Sequence, residues 1–131
     1  MSVIVDTSVW SLALRRNAPE SAVIERLRTL ITNDEVVIFG AIRQELLSGV
    51  RTAEQFKRLR DYLRAFPDLE LTREDYEPAA EFFNICRTNG IQGSNTDFLI
   101  CAVAHHHNYK IFTTDNDFEN FRLHLPIILL K

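Results

Sequence analysis

The stretch VIVDTS at residues 3–8 joins a short apolar run to an aspartate and two hydroxyl residues. Three consecutive β-branched residues are typical of a strand buried on both faces, as in a parallel sheet. Asp6 ends the run, so we expect its carboxylate at the carboxyl end of the first strand. A helix is predicted to follow at once. The stretch therefore predicts a strand-to-helix connection with an acid at the junction.

Similar patterns recur along the rest of the chain. Apolar runs predict further strands at residues 36–39, 110–113 and 127–130, and Leu69 with Leu71 predicts a small edge strand. Helical spacing and capping signals predict helices between these strands. One helix has Pro19 in its first turn and ends at Asn33–Asp34, and the next carries Ile42, Leu46 and Leu47 and closes at Gly49. The others run from Thr52 to Phe66, from Thr72 to near Gly90, and over residues 97–107.

The alternation of strands and helices favours an α/β fold with a mainly parallel central sheet and helices on both faces. A length of 131 residues with 46% apolar content suits one compact domain, which we expect to span residues 1–131. In the helix after Thr72, the residues predicted to be buried include Tyr76, Ala80, Phe83 and Ile85.

The composition limits the possible classes of function. A formal net charge of −3 argues against a protein that grips nucleic acid through bulk positive charge, so any such contact is expected to be local. Residues 43–64 are rich in basic side chains and residues 68–81 in acidic ones. Solvated helix faces explain the acidic segment, whereas for the basic segment this explanation and a binding role are both open.

Cys86 and Cys101 lie in helix-like apolar patterns, and two cysteines make no disulfide framework, so we expect buried free thiols. Apolar runs fall short of the roughly 18 to 20 residues of a membrane span, and the N-terminus lacks the features of a secretory signal. These observations lead us to expect a cytoplasmic protein.

Carboxylates fall where the predicted sheet would place a ligand crevice. Asp6 ends the first strand and Asp115 follows the strand at residues 110–113, and loops at the carboxyl ends of parallel strands converge. Asp97 begins a helix, and Glu45 lies in a short, otherwise apolar one. Each acid alone has an ordinary explanation: helix capping for Asp6 and Asp97, a turn for Asp115, and the surface for Glu45. Their joint pattern favours a shared site.

Such a site has a defined chemistry. Four carboxylates drawn together repel one another, which raises their pKa values unless a cation compensates. Oxygen-only ligation suits Mg²⁺ or Mn²⁺ better than zinc. A divalent ion held in this way lowers the pKa of a bound water and neutralises charge on a transferring phosphoryl group. We therefore predict metal-dependent hydrolysis of a phosphodiester, for which the sequence needs no nucleophilic triad.

The same residues carry a family resemblance that covers almost the whole chain. VIVDTS at residues 3–8, Glu45 after the second strand, SNTDFLICA at residues 94–102 and TTDNDF at residues 113–118 resemble, in that order, the motifs of the PIN domain. The resemblance is closest to the VapC toxins of bacterial and archaeal toxin–antitoxin pairs. One mild departure is Cys101, where many relatives have alanine.

The resemblance implies a single-domain PIN-like ribonuclease that acts on RNA and is neutralised by a cognate antitoxin protein. It also implies Mg²⁺ or Mn²⁺ as the cofactor and a homodimer within the toxin–antitoxin complex. By the same resemblance, the catalytic and metal-binding acids are Asp6, Glu45, Asp97 and Asp115. The accessory residues are an acid, Asp117, and two polar supports, Ser8 and Thr113.

Other functions fit the sequence less well. The nearest alternative is a PIN nuclease with a housekeeping role in RNA processing and no antitoxin. A receiver-type phosphoacceptor module would need an acidic pair after the first strand and a lysine after a late one, but Asp6 is followed by Thr7, and Lys110 lies at the start of its strand and not after it. A haloacid-dehalogenase-like phosphatase would need Asp-x-Asp, and Ser8 occupies the second position.

Several other residues are assigned structural roles. The run His105–His107 falls at a predicted helix C-terminus, where a cation suits the helix dipole, so we do not take it as a ligand set. Trp10 is expected in the core or an interface instead of stacking on a base. Arg15 and Arg16 either contact RNA or form a solvated helix end.

Overall fold

A computed structural model describes residues 1–14 and 21–131 and has three parallel strands in one sheet. The strands are β1 (Val3–Val5), β2 (Val36–Val37) and β3 (Lys110–Phe112), in the spatial order β2-β1-β3. β1 pairs with β2 from Val3 opposite Val36, and with β3 from Val3 opposite Lys110. All three residues of β1 are fully buried. The predicted α/β class with a parallel sheet is therefore confirmed.

Seven helices surround this sheet in the part of the chain that the structure describes. They are α1 (Thr7–Ala13), α2 (Ala22–Thr32), α3 (Gly40–Leu47), α4 (Ala53–Leu63), α5 (Arg73–Thr88), α6 (Asn95–His107) and α7 (Asp117–Arg122). Ser21 and Thr52 cap α2 and α4 with their side chains. Pro19, Arg15 and Arg16, which entered the predictions above, lie outside the described residues. The short helix α7 was not expected from the sequence.

Two predicted strands are reduced to isolated bridges. Asp68 bridges to Ile38, so the strand expected at Leu69 and Leu71 is wrong. At the C-terminal end, Leu129 bridges to Ile111, whose amide donates to Ile128 O at 2.9 Å. Each of these segments forms a single residue pair with the sheet. An apolar run becomes a strand only where a partner strand continues the hydrogen bonding.

The buried face of α5 differs from the predicted one. Tyr76 and Ile85 are 55% and 41% exposed, and Ala80 is exposed as well, while Phe83 is half-buried. The buried residues at helical spacing are Asp75, Ala79, Phe82 and Cys86. The predicted face was wrong because an acid such as Asp75 is rarely expected in a protein interior. Placing Asp75 outside shifted the predicted buried face of α5 by about one residue.

The central helix α6 is apolar on every side. Its residues 98–104 are all buried, and a helix that is apolar all round is typical of a position inside the core. It packs against α5 and β3. Burial of its middle leaves only the ends near solvent, with Asp97 in the first turn and three histidines in the last.

Arg43 explains part of the basic segment. Its guanidinium lies 3.1 Å from the Asp68 carboxylate and donates to Leu63 O at 2.9 Å, and it also donates to Phe66 O. These bonds join α3 to the chain that follows α4. Arg58, in contrast, makes an exposed ion pair with Glu54, which contributes little to stability. Arg43 is therefore a structural residue.

The core contains the residues assigned to it. Trp10 is fully buried and packs edge-on against Phe66, with ring centroids 5.2 Å apart. Cys86 and Cys101 are buried free thiols, as expected. Within residues 1–14 and 21–131, no helix has the length and apolarity that crossing a bilayer requires.

Gly93 gives a test of this packing. A Cβ at residue 93 would lie 2.7 Å from Cζ of Phe121 and 2.9 Å from Cζ of Phe98. We expect Gly93→Ala to lower the free energy of unfolding by about 1 to 3 kcal/mol, because the two buried rings must move. Gly40→Ala is the matched control, since a Cβ there has nothing within 4 Å. Urea denaturation that gives both variants equal stability would contradict the packing described.

Candidate metal-binding site at the edge of the sheet

The site forms where β1 and β3 end side by side. The amide of Asp6 donates to Phe112 O at 2.9 Å, so the first acid follows directly from the strand pairing. Asp115 lies in the loop between β3 and α7, and Asp97 lies in the first turn of α6. The charges of Asp6 and Asp115 both act on the Asp97 carboxyl. The fold therefore brings these three acids into one region, although they come from distant parts of the chain.

Asp6 is held by hydroxyl groups. Ser8 and Thr113 donate to its Oδ2 at 2.7 and 2.8 Å. The carboxylate is only 1% exposed, and although Asp6 occupies the N-cap position of α1, its side chain makes no capping bond. The capping explanation thus does not account for the Asp6 side chain. The hydroxyl contacts fix one oxygen and leave Oδ1 with a long contact of 3.4 Å to Thr7.

Thr7 connects this acid to Glu45. Its hydroxyl lies 2.8 Å from Glu45 Oε1, which is closer than its distance to Asp6. Since a hydroxyl has one proton to donate, the shorter contact to Glu45 receives it. Glu45 itself is exposed on α3 and is therefore positioned at the edge of the site by a residue of α1. The sequence analysis gave Thr7 no role, because its partner is 38 residues away.

Asp97 has both a structural role and a perturbed carboxyl. Its Oδ2 accepts from the amide of Ser94 at 3.0 Å, and its own amide donates to Ser94 Oγ at 3.0 Å. This capping box was readable as a Ser-x-x-Asp pattern. Burial, together with the charges on Asp6 and Asp115, raises the pKa of Asp97 to about 6 against the opposing effect of the Ser94 hydrogen bonds.

Asp115 lies in the loop that enters α7, and Asp117 is the first residue of that helix. The amide of Asp115 donates to Thr113 Oγ1 at 3.0 Å, and Asp115 Oδ1 accepts from the amide of Asp117 at 2.9 Å. One oxygen of Asp115 therefore supports a turn, as its ordinary explanation anticipated. Asp117 is exposed, and its backbone, not its carboxylate, makes this contact. Thr113 thus ties the loop to Asp6 on one side and to Asp115 on the other.

The donor chemistry of these acids fits a hard divalent cation. The side chains supply oxygen only, and the raised pKa of Asp97 reflects uncompensated burial and negative charge that a cation would relieve. Across the described residues, the ligand atoms of Asp75, His106 and His107 lie within 4.8 Å of one another, whereas no three of the four acids are grouped that closely. Mg²⁺ commonly keeps several waters and binds through few carboxylates, which suits such spacing.

Comparison with known proteins identifies the family. The profile of the PIN domain matches residues 3–122, which is most of the chain. The chain belongs to the PIN domain family, which confirms the resemblance found in its motifs. A search of curated proteins gives no significant match.

Solved structures with the same fold include toxin–antitoxin proteins. FitAcB from Neisseria gonorrhoeae has a TM-score of 0.76 at 21% identity, covering 98% of this chain and 96% of that one. VapBC2 from Rickettsia felis, solved with a DNA fragment from its promoter, has a TM-score of 0.73 at 19% identity, covering 100% and 98%. VapBC-1 from nontypeable Haemophilus influenzae has a TM-score of 0.74 at 18% identity, with the same coverage of 100% and 98%. At these identities the likeness is one of fold.

The electrostatics of Asp97 predict a gain in stability when its charge is removed. The folded protein holds the Asp97 proton more tightly than the unfolded chain, because the carboxyl pKa rises from 3.8 to about 6. Ionisation therefore costs stability as the pH rises from about 4 to 6, and the whole cost is present above pH 6. In EDTA at pH 7.5, Asp97→Asn should raise stability by on the order of 1 kcal/mol, after allowance for solvent screening.

The control for this prediction is Asp117→Asn, which removes an exposed acid at the start of α7. Thermal melts across pH 4 to 8 should show that Asp97→Asn gains stability above pH 6 and that Asp117→Asn follows the unmodified protein. Equal melting curves for both variants would mean that Asp97 carries no uncompensated charge.

Proposed function

We propose that this protein is a metal-dependent endoribonuclease. The observation that supports the proposal is the meeting of Asp6, Asp97 and Asp115 at the carboxyl edge of the sheet of a PIN domain, with Glu45 joined to them through Thr7. The proposed metal ligands and catalytic residues are these four acids. Mg²⁺ or Mn²⁺ is the proposed cofactor, since the donors are all oxygen atoms.

Hydrogen bonds hold one carboxylate oxygen of Asp6 and one of Asp97. Ser8 and Thr113 engage Oδ2 of Asp6, and the amide of Ser94 engages Oδ2 of Asp97, so each carboxylate would have a second oxygen for a cation. A divalent ion bound there would supply an activated water and neutralise charge on the phosphodiester. Ser8 and Thr113 are positioning residues in this proposal, because they act through Asp6. Asp117 is proposed as an accessory acid, close to Asp115 in the sequence.

RNA contact is proposed to rest on local charge. The net charge of −3 provides no general attraction for a polyanion, but Arg51, Lys57 and Arg58 are exposed at and along α4. Lysine and arginine side chains in such positions bind phosphates by local neutralisation. RNA as the substrate, instead of DNA, is proposed from the family resemblance.

We further propose that the protein is the toxin of a toxin–antitoxin pair. Proteins of the same fold have been solved as VapBC and FitAcB assemblies, and one structure is described as a toxin–antitoxin complex from Klebsiella pneumoniae. By extension, this chain would bind a cognate antitoxin and form a homodimer within that complex. Its cytoplasmic location is part of the same proposal.

A cleft between α3 and α4 offers a binding position for the antitoxin. It has a volume of about 380 Å³ and is lined by Gly40, Arg43, Gln44, Leu47, Ser48 and Phe56. Phe56 is 37% exposed there, which leaves apolar surface for a partner. Glu45 lies on α3 as well, so a tail seated in the cleft would pass near the acidic site.

The nuclease proposal predicts the effect of removing each acid. Asp6→Asn, Glu45→Gln, Asp97→Asn and Asp115→Asn should each reduce cleavage of a single-stranded RNA by on the order of 100-fold with the fold retained, because each removes a proposed ligand. Asp117→Asn, the matched control, should lose less than about tenfold. Cleavage is measured on end-labelled RNA, with a DNA of the same sequence in parallel.

Chelation provides the second arm of this experiment. EDTA should abolish cleavage by the unmodified protein, and excess Mg²⁺ or Mn²⁺ should restore it. Full activity of Asp97→Asn, or undiminished activity in EDTA, would rule out the proposed mechanism. Cleavage of DNA but not of RNA would support the proposed metal site and contradict the proposal that RNA is the substrate.

Inhibition is predicted to depend on an arginine of the antitoxin. A guanidinium can pair bidentately with a carboxylate, so a pocket of four acids is an electrostatic well for it. We expect an antitoxin tail to lay an apolar stretch near α4 and to place an arginine among Asp6, Glu45, Asp97 and Asp115. Raising Mg²⁺ or Mn²⁺ should then weaken inhibition, because the ion and the arginine compete.

Two replacements separate the parts of this contact. Changing the arginine of the tail to alanine should restore cleavage more than it lowers binding, whereas Phe56→Ser in the cleft should lower tail affinity about tenfold and leave cleavage unchanged. If the alanine tail still inhibits fully at every metal concentration, inhibition works by blocking RNA access and the arginine account is wrong.

A further inference from the structure

A second group of titratable side chains lies at the opposite end of α6 from Asp97. His106 Nδ1 is 2.8 Å from Asp75 Oδ1, and His107 Nε2 is 3.4 Å from the same oxygen. The three ligand atoms all lie within 4.8 Å of one another. Asp75 belongs to α5, so the group joins the start of one helix to the end of another.

Asp75 is an unusual residue for its position. Its side chain is 1% exposed, and its Oδ2 accepts from the amide of Thr72 at 3.1 Å in a capping box. The other oxygen is thereby turned towards the two histidines. Hydrogen bonding from His106 and Thr72 lowers the pKa of Asp75 in spite of its burial. The carboxylate is therefore an ionised, nearly buried ligand atom facing two imidazoles.

The simplest explanation is a hydrogen-bonded histidine at a helix C-terminus, and it accounts for His106. It does not account for His107, whose Nε2 is buried and has no hydrogen-bond partner among the described residues. The ring is also held in place, stacked on Tyr109 with centroids 5.4 Å apart and planes 14° apart. A fixed, buried and unpaired imidazole nitrogen next to a carboxylate is what a metal ligand requires.

We propose that Asp75, His106 and His107 form a binding site for a transition-metal dication of the Zn²⁺ class. Two imidazole nitrogens and one carboxylate oxygen form a set that favours Zn²⁺ over Mg²⁺. Bonds of about 2.0 to 2.2 Å in a tetrahedral arrangement put ligand atoms about 3.4 Å apart. The separation of 3.4 Å between His107 Nε2 and Asp75 Oδ1 matches this value, whereas His106 Nδ1, hydrogen-bonded to the same oxygen at 2.8 Å, would move slightly away from it when an ion binds. A water would take the fourth position.

The site is separate from the acidic edge of the sheet. His107 follows Asp97 by ten positions in α6, which corresponds to about 15 Å along the helix. A metal bound at this end would link α5 to α6 and stabilise the folded state by mass action. It would not enter the cleavage reaction. The inference therefore does not depend on the proposed nuclease function.

Cobalt is the probe for the test, because Co²⁺ bound by imidazole in a tetrahedral site absorbs visible light. The full-length protein is titrated with Co²⁺ in excess Mg²⁺, which occupies the carboxylate site. We expect one Co²⁺ per chain, and a loss of affinity of at least tenfold in each of His106→Gln and His107→Gln. His105→Gln, which changes the exposed neighbour, should bind as the unmodified protein does.

Thermal stability gives an independent readout. Zn²⁺ should raise the melting temperature of the unmodified protein and of His105→Gln, and should leave that of His106→Gln and His107→Gln unchanged. RNA cleavage in Mg²⁺ should be equal in all four proteins. His106 is partly exposed, so His106→Gln remains informative even if the change at His107 disturbs the fold. Equal Co²⁺ affinity in both variants and the control would overturn the proposal and leave a hydrogen-bonded cluster.

Discussion

The parallel pairing of β1 with a strand on each side is the constraint on which the rest of the structure depends. It buries all of Val3–Val5 and brings Asp6 to the point where β3 also ends. Because Thr113 follows β3, its hydroxyl can reach Asp6 across 107 residues of sequence. A slip of one residue in this register would move each β1 side chain to the opposite face of the sheet and separate Asp6 from its hydroxyl donors. Core packing and site geometry are therefore set by the same hydrogen bonds.

The helix α6 extends this dependence across the molecule. Its apolar middle packs against α5 and β3, and this packing determines where its two ends lie. One end presents Asp97 to the acidic site, and the other presents His106 and His107 to Asp75. Groups that are costly to bury can be tolerated at these ends because each is held by polar contacts.

Local sequence patterns predicted what depends on local physics. The β-branched run of β1, the capping signals at Thr52 and Thr72, and the apolar length of α6 each indicated their element. The site acids were grouped by their positions after strands and at helix starts. What could not be predicted depends on distant partners. The buried face of α5 follows from the contact between Asp75 and His106, and the placing of Glu45 follows from Thr7.

The burial of the two thiols has a consequence for how the molecule opens. Cys86 and Cys101 lie on the two helices that pack most closely, and desolvation raises the pKa of both. A thiolate is the reactive form, so neither sulfur reacts with an alkylating reagent while α5 and α6 stay together. Their rate of alkylation would instead report how often α5 and α6 separate, so the two native cysteines are probes of this local opening.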